Sequence, residues 1–497
     1  MTSQSVDAER IKRSLLVLFL IAVSVYLSWF GLSKNLPWMG LLIPALGVVT
    51  ALISRPAALF ILILFIRSGN FMVPGLPGTL TLARLMLLMM IGWAMVESAL
   101  RQEKAKNSYV PGMDFWMGVF LLDIFLIMAV RGAGFRMLGG SSYGGATYVG
   151  LIAAILFYYS VVRIRLSDQH VKLVLMGIVI ASILPMAVEI LVYHFPGQSW
   201  WLTSYFDVAP EYALGQKGME GGVERWGTFS NFAFALIPII YVLCRNAKLR
   251  FILIVLAVLL VGMTGFRNRV LKVGTLIFFA SMYYSKNRMK TFMGWVLVGV
   301  AGLVVLVIAA PYLPPAMQRA VSFLPFLEID FDVARTATGS ATWRFDMWKE
   351  YCIPNVPKYF FVGRGLSRDI TSFAWLSSSW YGTYEFYYHM GRYHSGPFSL
   401  LLDYGLLGTV SFTVFFIMVV VDGWKTVKQY AMHLDSFAAR YYVFLTLLMT
   451  YNLVAFYLIF GDVDSQLLDL LLIAAQMRIL KKNFLDVDRV DGESLVS

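Results

Sequence analysis

Thr291-Phe-Met-Gly-Trp-Val-Leu-Val-Gly-Val-Ala-Gly-Leu-Val-Val-Leu-Val-Ile-Ala-Ala310 carries no charged side chain, and Lys286, Arg288 and Lys290 stand just before it. At about 1.5 Å rise per residue, a helix of this length matches the roughly 30 Å hydrocarbon core of a bilayer. Working outward, stretches of the same kind occupy 14–33, 38–54, 56–67, 80–99, 113–130, 146–162, 172–193, 226–243, 251–266, 270–284, 396–421, 440–460 and 465–480. The whole chain agrees: 497 residues, 59% hydrophobic and 14% charged, with a mean hydropathy of +0.70. An average soluble domain is about 25% charged. The composition excludes a soluble globular enzyme, a disordered chain, a coiled coil and a disulfide-rich secreted fold. It predicts an all-α polytopic membrane protein of about 14 transmembrane helices.

The net charge of +12 reports topology. Arg10, Lys12 and Arg13 precede the first stretch; Arg101, Lys104 and Lys106 follow the fourth; Arg163 and Arg165 the sixth. Arg245, Lys248 and Arg250 follow the eighth, Lys286, Arg288 and Lys290 the tenth, Lys425 and Lys428 the twelfth, and Lys481 and Lys482 the last. Every second loop is basic, so these loops and both termini are expected in the cytoplasm, and no nucleic-acid partner is implied. Leu15 to Leu32 reads as an uncleaved first span. Cys244 and Cys352 fall on opposite sides of the membrane and are not expected to pair. The chain divides into helices without a specific motif (1–225), helices with an Arg cluster (226–310), one long extracytoplasmic loop (311–395), C-terminal helices (396–480) and a cytoplasmic tail (481–497). A loop that long in a compact architecture is usually functional.

Walker A, strand-linked G-x-G-x-x-G, H-E-x-x-H and C-x-x-C patterns are absent from the sequence, so nucleotide hydrolysis and zinc chemistry lack their usual signatures and no cofactor or metal is expected. Chemistry-bearing residues gather at the outer loops instead. Arg392-Tyr-His394 opens onto the twelfth stretch, where a neutral imidazole beside water accepts a hydroxyl proton. Asp403 follows nine residues on, about 13 Å along a helix, and an ionised carboxylate there needs a partner or a wet cavity. An interfacial histidine and a structural aspartate fit the same residues. Gly265-Phe-Arg267-Asn-Arg269-Val-Leu-Lys272 sets three cations on the outer side against the positive-inside trend, which suggests a bound phosphate or diphosphate; a tight turn with snorkelling side chains is the alternative. Arg344 and Trp348 lie four apart in an amphipathic segment that reads equally as a membrane-surface helix. Trp375, Trp380, Tyr381, Tyr384, Phe386, Tyr387, Tyr388 and Tyr393 form an aromatic run suited to sugar faces and to interfaces alike. Asp123 and Glu189 are site candidates by their depth in spans. Arg131 and Arg136 flank a Gly-rich segment that forms either an anion nest or a turn.

In order and spacing, three of these features resemble the O-antigen ligase and polymerase superfamily of bacterial membrane glycosyltransferases. His394, Asp403, Gly405 and Gly408 follow the family's His, acid, Gly, Gly spacing, with Ser395 where Asn is common and Phe398 where Leu is usual. Thr264-Gly-Phe-Arg267 resembles its Ser-Arg pair at an outer helix end, with Arg269 a competing match. Arg344, Trp348 and Phe361-Val-Gly363-Arg-Gly365 resemble its Arg-x-x-x-Trp helix and aromatic-Gly-x-Gly turn. The resemblance covers about 225–425 and implies a GT-C-like, metal-independent, inverting transferase at the periplasmic face of the inner membrane. It implies an undecaprenyl-diphosphate-linked glycan as donor and a glycan or lipid A-core as acceptor. Arg267, Arg269, Lys272 and Arg344 would hold the diphosphate. His394 would act on the acceptor hydroxyl with Arg267 and Arg344, supported by Asp403, Trp348 and His389. Polymerisation of repeat units is the expected activity, with ligation of finished glycan as the alternative. A chain-length regulator or a flippase would be a partner. A lipid-linked oligosaccharide transporter is the reading from another class; it would show two related halves and short loops, whereas this chain shows no evident halves and places the long loop 311–395 on one side.

Overall fold

The computed structural model of the chain describes residues 63, 87, 88, 90–92, 110–134, 142–161, 167–204, 206, 208, 225–369, 383–429 and 436–494. The stretches at 14–33, 38–54, 56–67 and 80–99 lie outside these residues except at isolated positions, as do Arg136, Trp375, Trp380 and Tyr381. The ten stretches from 113 to 480 each fall on a helix. The helices used below are α1 (Met113–Arg131), α2 (Gly145–Ser160), α3 (Asp168–His194), α4 (Phe229–Pro238, continued by a π turn to Leu243), α5 (Ala247–Gly262) and α6 (Arg267–Tyr284). They continue with α7 (Arg288–Ala309), α8 (Pro315–Val321), α9 (Phe331–Met347), α10 (Ile353–Tyr359), α11 (Tyr384–His389), α12 (Gly396–Gln429), α13 (Phe437–Leu458) and α14 (Val463–Ser494). Among the described residues, five helices are long and apolar enough to cross a membrane: α1, α3, α7 with its extension to Tyr312, α12 and α13. Shorter apolar helices are α2 and α4 with its π turn. One two-residue antiparallel pair, Ser142–Tyr143 against Arg368–Asp369, joins the α1–α2 connection to the long loop.

Helix starts are written locally. Ser167, Asn246, Asn287, Asp330, Thr383 and Ser436 each cap the helix that follows by accepting from its first backbone N–H groups, which satisfies donors that a helix start leaves unpaired. Asp168 caps twice over, accepting from Ala438 N at 3.0 Å and so tying α3 to α13. The core is the interface of α1, α2, α12, α13 and α14, filled by Phe120, Phe412, Phe415, Phe416, Tyr158 and Phe456. In α7 no side chain is buried. Beyond Lys290 its surface is almost wholly apolar and little of it is covered by protein apart from Trp295, which packs against the core, and such a surface fits a lipid environment, not water.

The bundle has two unlike ends. At one, Arg478 grips Asp114 with two bonds of 2.7 and 2.8 Å, Lys481 meets Asp422 at 2.6 Å, and the Tyr284 hydroxyl donates to the Arg440 carbonyl. The basic flanks at 245–250, 286–290, 425–428 and 481–482 belong to this end. At the other, Arg131 donates to the carbonyls of Val362 and Gly363 at 3.2 and 3.0 Å. The described part of the region 311–395, residues 311–369 and 383–395, also lies at this end and is no open loop. It holds α8 to α11 and packs onto the mouths of α6, α12 and α13. Cys244 and Cys352 are both free.

Candidate active site

Gly265, with φ +67, turns the chain between α5 and α6, and the Thr264 hydroxyl accepts from Phe266 N. Arg267 is therefore the first residue of α6, where the helix dipole already favours anions. Its guanidinium donates to the Ala337 carbonyl of α9 at 2.6 Å. Two turns further along α9, Arg344 feels the charge of Arg267, and burial and that repulsion both disfavour its protonated form. The Arg344 guanidinium lies 5.9 Å from the Phe460 ring, and the same ring lies 5.2 Å from the imidazole of His394. Three residues from α6, α9 and the α11–α12 junction thus share one neighbourhood.

His394 adopts φ 54, the one positive φ outside glycine among the described residues. Such backbone is tolerated only where neighbours hold it. Tyr393 is the anchor: its carbonyl accepts from Trp348 Nε1 at 2.7 Å, and its hydroxyl donates to Asp403 Oδ1 at 2.9 Å. Trp348 and Asp403 thus reach the site through the residue before His394. Burial, then the cations Arg344 and Arg392, push the His394 pKa down to about 4, so the imidazole is neutral near pH 7.

Asp403 has a second partner, Arg364, at 3.3 Å, with 3% and 13% of the two side chains exposed. Arg364 also donates to the Tyr388 carbonyl at 3.1 Å and lies 4.9 Å from the Tyr388 ring. This pair sits where Gly405 (φ 67, ψ −165) interrupts α12. The freed carbonyls of Leu402 and Asp403 accept from Arg364 N and Gly365 N at 2.6 and 3.0 Å, while Leu406 N donates to the Phe360 carbonyl at 2.6 Å. The 360–365 turn therefore plugs a break in a spanning helix, as backbone at that depth requires. A Cβ on Gly363 would fall 2.2 Å from the Asp403 carbonyl oxygen.

Other predicted residues are placed elsewhere. Arg269 donates to the Gly227 carbonyl at 2.5 Å and the Ser230 hydroxyl at 2.6 Å, and lies 4.3 Å from the Phe266 ring. Glu189 accepts from Gly227 N at 2.9 Å, from Thr228 N at 3.0 Å and from the Thr228 hydroxyl, so Arg269 and Glu189 clasp one turn. Arg269→Ala is expected to lower the melting temperature, through loss of bonds worth about 1–3 kcal/mol, and to leave donor affinity unchanged; a donor titration on the purified variant checks this. Lys272 turns toward Phe234 and Tyr451, 4.8 and 5.9 Å from their rings. His389 pairs with Glu385 on its own helix at 3.7 Å. Asp123 is buried beside Gly408, and its Oδ2 has no hydrogen-bond partner among the described residues.

Three residues escaped the sequence reading. Arg364 is the partner that Asp403 demanded. Arg319 is buried, with its guanidinium 3.4 Å from the Thr336 hydroxyl, one residue from the carbonyl that holds Arg267. Asp462 lies 3.5 Å from the Ser399 hydroxyl; burial, then the Asp403 carboxylate, push its pKa up to about 6. Arg364 stands inside the Phe361-Val-Gly363-Arg-Gly365 turn without having been singled out; for Arg319 and Asp462 the only sequence signal was charge next to an outer helix end.

No curated protein matches the chain. Residues 252–413 match the family model described as O-Antigen ligase. That stretch, about a third of the chain, contains Arg267, Arg344 and His394 together, and over it the chain is similar to the O-antigen ligase family.

Proposed function

We propose that this membrane protein transfers a glycan from an undecaprenyl-diphosphate donor to an acceptor hydroxyl at the periplasmic face, and that it polymerises repeat units of O-antigen or exopolysaccharide. The observation that carries this reading is the meeting of Arg267, Arg344 and His394 from three separate elements, at the end of the bundle away from the basic flanks. In the step, the acceptor oxygen bonds to the anomeric carbon on the face opposite the diphosphate, which inverts the centre. The carbon–oxygen bond to the diphosphate breaks and its electron pair leaves on the phosphate oxygen. The acceptor proton passes to His394. Arg267, the N-terminus of α6 and Arg344 stabilise the charge on the leaving group. The ligase reading, favoured by the description of the matched family, keeps this centre and changes only the acceptor, to lipid A-core. The test is purified protein mixed with its lipid-linked repeat unit. Release of free undecaprenyl diphosphate in step with longer glycan supports the reading, and no release under any acceptor contradicts it.

The electrostatics add a pH signature. A base with pKa about 4 is a weak proton acceptor, and much of that weakness comes from burial and from Arg344. A diphosphate on Arg344 offsets its charge and raises the basicity of His394 once donor is bound. Because the folded pKa lies below the ordinary imidazole value, the active neutral form persists as pH falls through 6.5 and is lost only near 4. The acid limb of kcat/KM for donor, which reports the free enzyme, is expected near pH 4, and that of kcat at a higher pH. Coincident limbs near 6.5 would contradict the arrangement.

A further inference from the structure

Helix α9 presents two unlike faces at the same turn. Arg344 turns toward Arg267 and Phe460. Trp343, about 100° round the helix, turns toward α11. Its ring centroid lies 4.7 Å from Tyr387, 5.7 Å from Tyr384 and 5.9 Å from His394. Tyr387 is itself 5.9 Å from His394. Trp343, Tyr384, Tyr387 and His394 are all half-buried. Asp346 follows Trp343 by three residues and shares its helix face. Its carboxylate accepts from the Tyr384 hydroxyl at 3.3 Å. Glu350 and Glu385 add negative charge around Tyr351.

Charge is therefore sorted across His394. Arg267 and Arg344 lie toward Phe460, and the rings with the Asp346 carboxylate at their edge lie toward α11, while Arg392, whose N donates to the Tyr387 carbonyl at 2.9 Å, is a third cation near His394. An anionic diphosphate is drawn to the first side and repelled by the second. A flat apolar patch with acceptor oxygens at its rim suits a pyranose, whose C–H face stacks on a ring while its hydroxyls donate to carboxylates. We propose that Trp343 and Tyr387, with the Asp346 carboxylate at their edge, form the subsite for an uncharged sugar of the acceptor glycan and hold its hydroxyl at His394. This rests on the transfer reading above and names the part of the site that reads the acceptor.

The test uses the full-length purified protein and two separate probes. One is undecaprenyl diphosphate alone. The other is a soluble single-repeat oligosaccharide prepared from the surface polysaccharide of cells that make the protein. Trp343→Ala is expected to weaken oligosaccharide binding about 5- to 10-fold, as loss of a ring contact does, and to leave undecaprenyl diphosphate binding unchanged. Trp343→Phe keeps a ring and is expected to stay within about 3-fold of the parent. Equal weakening toward both probes, no effect of Trp343→Ala on the oligosaccharide, or a Phe variant as weak as the Ala variant would each overturn the subsite. None of these outcomes touches the transfer centre, which is tested separately: Arg344→Ala should lose undecaprenyl diphosphate binding, and intact binding would count against that centre and not against the subsite.

Discussion

His394→Ala is expected to lower glycan transfer about 10²- to 10⁴-fold, the usual range for removing a proton acceptor from a transition state. Arg344→Ala is expected to cost about 10²- to 10³-fold, as loss of one charge-stabilising donor does. The two side chains are electrostatically linked, because Arg344 depresses the basicity of His394. Their losses should therefore not multiply: the double variant should fall well short of the product of the single effects. Initial rates of undecaprenyl diphosphate release by purified variants check this. Each variant should keep the parent melting temperature within a few degrees, since neither side chain carries the fold. Strictly multiplicative losses would mean that the two residues act in separate places.

Gly363→Ala is expected to have the largest effect on stability. Its Cβ would lie 2.2, 2.4 and 2.5 Å from the Asp403 carbonyl oxygen, the Asp403 carbonyl carbon and Tyr404 N. These are backbone atoms of a spanning helix and have nowhere to move. Arg364→Ala attacks the same junction by charge. It leaves the buried Asp403 carboxylate with the Tyr393 hydroxyl but without its cation, a loss of about 3–5 kcal/mol for a buried pair broken on one side. Both variants should unplug the break at Gly405, loosen Tyr393 and displace His394. Low yield of folded protein for Gly363→Ala and a markedly lower melting temperature for Arg364→Ala are the expected results. Parent-like melting of Arg364→Ala would mean that Asp403 is held by something else.

The helices were legible because their signal is local. Twenty uncharged residues in a row, a capping Ser, Asn or Asp, and basic flanks at alternate ends all act within one turn or one loop. The order Arg267, Arg344, His394 was legible through its resemblance to a family, and these three do come together. Contacts that join distant parts of the chain were not legible. Asp403 called for a partner, but Arg364 lies 39 residues earlier. Glu189 called for one as well, and found it 38 and 39 residues later at Gly227 and Thr228. Arg269 and Lys272 share a helix with Arg267, and sequence spacing alone could not show that they turn into the bundle. Trp343 escaped notice because an interfacial tryptophan and a sugar platform look alike until a histidine is seen beside one of them.

The most direct test of the central claim, that Arg267, Arg344 and His394 form one transfer centre, is made in cells whose only copy of the protein is the His394→Ala variant. The length distribution of their undecaprenyl-linked glycans is measured. Accumulation of single repeat units is predicted for the polymerase, and accumulation of long lipid-linked chains would assign the same centre to a ligase. A normal length distribution with normal surface polymer, from a variant present in the membrane at the parent level, would contradict the account and remove His394 from the chemistry.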